Sequence, residues 1–354
     1  MISLKLLFGP GIRLMRQLRI ATKMSLMGLF LLVPLVLLLA NTYRSAQVER
    51  AFAASELEGV RLVRQLGELI VQLQAQRGLT HRALSGDAGA AAARDAGRAK
   101  LGEALRALDG GVAAAQAFDA GSLWRERREA VLTLAEGRHP AQRQEAFAQH
   151  TAAVENLRQM LMLIGERSGL VLDPEAATFF LMDIAVERVV PLSETIGLTR
   201  GQGAAILTRG DASNTERVQI LGRMDVLATQ IDDLRHRFAA LERSGTQPPA
   251  GWQEALALMG EFGRHVRGVF GADVIDGDAA AFFDRAGQAL AELQRLDREV
   301  VDKLENGLEQ RRAATTRTMA LELGVASAGV LLMAYFAVSF YLSFIGAFRA
   351  LSIG

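Results

Sequence analysis

MSLMGLFLLVPLVLLLANTY, residues 24–43, and LGVASAGVLLMAYFAVSFYLSFIGAF, residues 323–348, decide the architecture of this 354-residue chain. Neither run contains a charged residue; Lys23 and Arg44 bracket the first, Glu322 and Arg349 the second. A helix needs about 20 mostly apolar residues to cross the hydrocarbon core of a bilayer. Core helices of soluble proteins seldom run this long without a charge. A cleaved signal peptide fits poorly, because its apolar region is shorter, about 7–15 residues, and here 23 residues precede the run. Pro34 lies inside the first run; membrane helices tolerate this, since neighbouring groups satisfy the freed carbonyl. The reading is two transmembrane helices.

Charge then sets the orientation. Lys5, Arg13, Arg16, Arg19 and Lys23 precede the first run with no acidic residue among them, and Arg349 follows the second. Short basic flanks stay in the cytoplasm. All 39 acidic residues and 34 of the 40 basic ones lie in residues 44–322, which carry a net charge of −5. The expected layout is a cytoplasmic basic leader (1–23), a first span (24–43), an extracytoplasmic, periplasmic segment (44–322), a second span (323–348) and the start of a cytoplasmic linker (349–354). The absence of cysteine is compatible with an oxidising compartment and leaves the outer segment without disulfides. That segment is long enough to bury a core of its own.

The outer segment is expected to be all-α, an elongated helical bundle. Ala, Leu, Arg, Glu and Gln dominate it, all good helix formers, and its prolines are Pro140, Pro174, Pro191, Pro248 and Pro249. Apolar residues recur at spacings of three and four, as in Val60, Val63, Leu66, Ile70, Leu73 and in Ala286, Leu290, Leu293, then Val300, Leu304, Leu308. Each series is one buried stripe of a helix. Breakers place helices at about 46–84, 94–118, 123–136, 141–167, 174–208, 214–243 and 252–270, with a last helix from Asp278 through the second span. Asp173 and Pro174 read as N-cap and first helical position of the fifth, Pro191 as a bend in it, Ser213 or Asn214 as the next cap, and Glu299 with Lys303 as an i,i+4 pair.

Signatures of catalysis are missing. The five histidines have no HExxH or His-x-His spacing, and the chain has no cysteine nucleophile, no GxSxG and no P-loop. Asp273, Asp276 and Asp278 share one loop but do not follow the twelve-residue calcium pattern; they read as a polar turn with Asp278 as a cap. No enzyme activity, catalytic residue, cofactor, metal site or nucleic-acid partner is expected.

One pattern stands out. RGLTHRALSGD, residues 77–87, recurs with one insertion as RGQGAAILTRGD, residues 200–211. Both copies read Arg-Gly, several residues, Leu, then Gly-Asp, in the last turns of a long helix. Glycine inside a helix costs about 1 kcal/mol against alanine, a cost best accepted where a backbone or ligand comes close. The arginine supplies a planar positive fork suited to carboxylate, nitrate or phosphate. Arg77 and Arg200, with Thr80 and Arg82, are therefore the candidate binding residues for a small anion. The plainer alternative has each arginine capping its own helix or pairing with an acidic neighbour, while Gly-Asp ends the helix. Asp183, on an apolar run, calls for an arginine partner, with Arg188 and Arg200 on the same helix.

These residues carry a family resemblance. The layout of basic leader, span, helical segment and second span resembles a bacterial methyl-accepting chemotaxis protein. Residues 7–23, opening LFGPGIRLM, resemble leaders of such receptors and of related membrane-bound diguanylate cyclases. SGLVLDP, residues 168–174, through Met182 and Asp183 resembles a stretch of their sensory halves. QRGLT, residues 76–80, is similar to the helix-end motif of nitrate- and nitrite-sensing helical domains. The resemblance implies that Arg77 faces an anion; Arg200 rests on the internal repeat alone. It further implies an inner-membrane homodimer that binds a small extracellular ligand and signals in chemotaxis. Such receptors continue into a HAMP linker and a cytoplasmic coiled coil, and Phe348-Arg349-Ala350-Leu351 reads as the first residues of that linker. The expectation is a sensor half without its output module. The alternatives are the sensor half of a diguanylate cyclase or histidine kinase, and a non-sensing helical membrane adaptor.

Overall fold

The computed structural model describes residues 4–351, so the first three residues of the leader and the last three of the linker lie outside the described residues. The fold is all-α, with no strand among the described residues. In chain order the helices are α1 (Leu4–Gln17), α2 (Ile20–Ala83), α3 (Ala88–Ala114), α4 (Ala120–Ala135), α5 (Arg143–Ser168), α6 (Ala176–Met182), α7 (Val189–Arg209), α8 (Asn214–Arg243), α9 (Trp252–Gly271) and α10 (Ala279–Leu351).

The chain forms two compact units, one of residues 1–51 with 311–354 and the other of residues 52–310. The first contains α1, the start of α2 and the end of α10. Its apolar runs are not buried against protein: Leu29, Phe30, Leu31, Leu37 and Leu38 of α2 are exposed, as are Leu331, Leu332, Tyr335, Phe336 and Val338 of α10. That distinguishes them from the core helices of a soluble protein, which bury such residues. Both helices are long and apolar enough to cross a membrane.

The second unit packs around one hydrophobic core to which α2 through α10 contribute, α1 excepted. The stripes legible in the sequence face it: Val60, Val63, Leu66, Ile70 and Leu73 on α2, and Ala286, Leu290, Leu293, Val300, Leu304 and Leu308 on α10, are all buried. Burying a side chain of this size stabilises the fold by about 1.5–3 kcal/mol.

Several boundaries differ from expectation for identifiable reasons. α3 starts at Ala88 rather than near Arg94, because the Asp87 carboxylate accepts from the Ala90 amide at 2.9 Å and caps an alanine-rich first turn. Asp173 does not cap the fifth predicted helix. Its carboxylate accepts from the Glu175 amide, 2.9 Å away, in a local turn after the 3₁₀ segment Leu170–Leu172, and α6 begins at Ala176. The disturbance expected at Pro191 takes the form of a π-helical stretch, Asp183–Arg188, joining α6 to α7. Proline lacks an N–H and its ring crowds the carbonyl four residues back; a widened turn absorbs both. Ser213, not Asn214, caps α8 in a reciprocal capping box with Glu216. The Glu299 carboxylate pairs with Arg295 at 2.6 Å rather than with Lys303, since that guanidinium spans Glu292 and Glu299 together.

Candidate functional site

The two copies of the repeat meet at a cavity of about 420 Å³ in the second unit. Gly78, His81, Arg82 and Ser85, at the end of α2 and its terminal turn, form one wall; Gly201, Ala204, Ala205 and Thr208 of α7 form another. Offsets of zero, three, four and seven from the glycine are the same in both copies, which places each set on one helical face. Arg143, opening α5, and Ala279, Ala280 and Phe283, opening α10, complete the enclosure, with Asp87 and Arg209 at the helix ends.

The repeat thus serves two purposes. Its Gly-Asp halves terminate helices: Gly86 and Gly210 adopt φ of 96° and 74°, the left-handed conformation that ends a helix without a Cβ clash. Its Arg-Gly halves shape the cavity. A Cβ added to Gly78 would lie 3.5 Å from the Arg200 Nη2 and 4.0 Å from the Phe283 ring, ordinary contact distances, so Gly78 leaves room rather than relieving a clash. The close approach is at Gly203, where an added Cβ would stand 2.6 Å from the Phe282 ring.

The four candidate residues fare differently. Arg77 is buried, 2 % exposed. Its Nη1 and Nη2 donate to the two carboxylate oxygens of Glu194 at 2.5 and 2.9 Å, and Nη1 also donates to the Thr151 hydroxyl at 3.0 Å. The Phe147 ring centroid is 5.1 Å from its guanidinium carbon. Thr80 is buried; like Arg77 it occupies a face of α2 turned from the cavity-lining set. Arg82 lines the cavity, donates to the Asp87 carboxylate at 2.5 and 3.0 Å, and lies 4.8 Å from the Phe283 centroid.

Arg200 lies 4.5 Å from the centroid of that same ring. It has no carboxylate within 4 Å among the described residues. Burial, reinforced by the nearby charges of Arg77 and Arg82, lowers its pKa to about 10; it remains a cation at neutral pH. Arg143 donates to the Ser85 hydroxyl at 3.0 Å and also lacks a carboxylate partner among the described residues. Arg209 is compensated by Glu216 at 2.8 Å. His81 is held neutral, its pKa pushed down to about 4 by burial and by Arg143 and Arg77.

Asp183 finds its partner in Arg188, 3.2 Å away, and a second in Arg237 of α8 at 2.9 Å, with Arg200 uninvolved. Asp278 caps α10 by accepting from the Ala280 and Ala281 amides at 2.7 and 2.9 Å. Among the described residues no group of histidines and carboxylates could hold a metal ion.

Sequence reasoning missed Arg143 and Phe283, which come from helices far from the repeat and carry no local signal. It also missed Glu194, six residues before Arg200, where the acid could have been read as a candidate partner. The shared glycine-based spacing could have identified the cavity faces.

No family model matches the chain, and no curated relative does. Among solved structures, that of the NasR transcription antiterminator is similar, with a TM-score of 0.59 at 20 % identity over 85 % of each chain. At that identity the likeness concerns the fold.

Proposed function

We propose that the chain is the sensory half of a two-pass receptor of the inner membrane, of the methyl-accepting chemotaxis type, which binds a small anion outside the cytoplasm. In this reading residues 24–43 and 323–348 span the bilayer, both termini are cytoplasmic, and residues 44–322 are the periplasmic sensor of a homodimer. The observation that carries it is Arg200, a half-buried guanidinium beside a cavity with no carboxylate to neutralise it. Burying a charge without a counter-charge is costly, and an anionic ligand supplies the missing partner. A cavity bordered by cationic groups is what separates a sensor from a helical adaptor. The sequence resemblance to chemoreceptors supports the same reading, with a cyclase or kinase output as the alternative.

Transmission follows from which helices form the wall. α10 contributes Ala279, Ala280 and Phe283 and continues unbroken to Leu351. Phe283 takes guanidinium contacts from Arg82 of α2 and Arg200 of α7. An anion that draws Arg200 toward itself loosens its hold on the ring and changes the seating of α10. A continuous helix carries such a displacement where a flexible linker would absorb it. Signalling requires that the anion bind one seating better than the other.

The test is calorimetric titration of the full chain in lipid nanodiscs with sodium salts of nitrate, acetate and dicarboxylic acids. At least one is expected to bind saturably, and Arg200→Gln to weaken it tenfold or more. Unchanged affinity in that variant, or no binding of any anion, overturns the proposal.

A further inference from the structure

Resting on the anion-sensor reading, we infer that the ligand is a short organic dicarboxylate rather than an inorganic oxyanion. Three observations point the same way. The first is volume. The cavity measures about 420 Å³, within the range of small-molecule sites, roughly 300–1,000 Å³.

The second is charge. Arg82 is neutralised by Asp87 and Arg209 by Glu216. Arg143 and Arg200 are left without carboxylate partners among the described residues, and they come from different helices, α5 and α7. Two uncompensated guanidiniums on separate elements match two anionic groups on one ligand. Arg200 stands just behind the wall, against Gly78 and Phe283, which line the cavity, and next in sequence to the wall residue Gly201. An ammonium group on the ligand, as in an amino acid, finds no free carboxylate on the wall. Asp87, the wall carboxylate, is engaged by Arg82 and the Ala90 amide.

The third is the remaining wall. Ala204, Ala205, Ala279 and Ala280 and the Phe283 ring are apolar. They offer a hydrated inorganic ion nothing, but they suit the methylenes between two carboxylates.

The experiment compares succinate, butyrate and nitrate binding to the full chain in nanodiscs, in the unmodified protein and in Arg143→Gln, Arg143→Lys and Arg200→Gln. Succinate is expected to bind at least tenfold tighter than butyrate or nitrate. Each glutamine variant should lose at least tenfold in succinate affinity, and Arg143→Lys should recover part of it. Unliganded melting curves identify any variant that fails to fold; Arg143→Lys, which keeps the charge, then carries the comparison. If nitrate or butyrate binds as tightly as succinate while Arg200→Gln still abolishes binding, the dicarboxylate assignment is wrong and the anion-sensor reading stands. If no anion binds and Arg200→Gln changes nothing, the sensor reading itself falls.

Discussion

At the end of α2, Arg77 is gripped by Glu194, Thr151 and the face of Phe147. At the end of α7, its counterpart Arg200 rests on the Phe283 ring without a carboxylate. The two share a sequence pattern, a following glycine on the cavity wall, and a Gly-Asp helix end. What separates them is one acid: Glu194 stands on α7, six residues before Arg200 and so on a different face of that helix, and it reaches across to α2. One copy of the pattern thereby ties α2 to α7, and the other leaves its arginine without a counter-charge among the described residues.

The largest effect that would separate these roles is on stability. Glu194→Ala leaves the Arg77 guanidinium buried and unpaired, and removing one member of a buried pair costs about 3–5 kcal/mol. Arg200→Met removes a charge that has no counter-charge to lose, so the unliganded protein should be unchanged or more stable. Urea unfolding of both variants in detergent checks this. Equal losses in the two would show that the arginines do the same work and that Arg200 has a structural partner after all.

The comparison also explains what the sequence could and could not disclose. The stripes on α2 and α10 were legible because burial in a helix imposes spacing three and four, and Val60, Leu66 and Leu304 needed no partner to be recognised. The helix ends were legible where a side chain caps its own turn, as at Ser213 and Asp278. Asp173 misled because its carboxylate has a competing amide within reach before the helix begins. The division of labour between Arg77 and Arg200 could not be read, since it depends on which helix brings an acid to which arginine. The same holds for Arg143 and Phe283, which join the site only by tertiary packing.

A second difference lies in the titratable groups. His81 and His150 both feel the Arg77 charge, and burial with that charge lowers each pKa to about 4. The position in the α7 copy equivalent to His81 is Ala204, which has nothing to titrate. His150 is 2 % exposed, with Nδ1 2.8 Å from the Ala146 carbonyl. Below the ordinary histidine value of 6.5 the unfolded chain takes up a proton that the folded chain refuses until about pH 4. Stability contributed by neutral His150 is therefore complete above pH 6.5 and lost as pH falls to about 4, by on the order of 3 kcal/mol. His150→Leu should flatten that part of the stability–pH curve, measured by unfolding at a series of pH values. An unaltered slope would mean that His150 takes up its proton as readily in the folded protein as in the unfolded chain.

The smallest effect sharpens the comparison at the glycines themselves. Gly78 and Gly203 belong to opposite copies and both follow closely on the arginine, one residue past Arg77 and three past Arg200. Gly203→Ala drives a Cβ to 2.6 Å from the Phe282 ring, and the ring is buried with Phe262 and Phe270 about it. Overpacking of that kind costs about 1–3 kcal/mol. Gly78→Ala meets nothing nearer than 3.5 Å, so it should gain the helix-propensity difference, up to about 1 kcal/mol. That gain should come with weaker anion binding, because the methyl group enters the space between Arg200 and the cavity. Melting temperature and calorimetry on the same samples read both quantities. A Gly78→Ala protein that is more stable and binds anions as before would show that the cavity does not need the glycine, and that Arg200 meets its anion from another side.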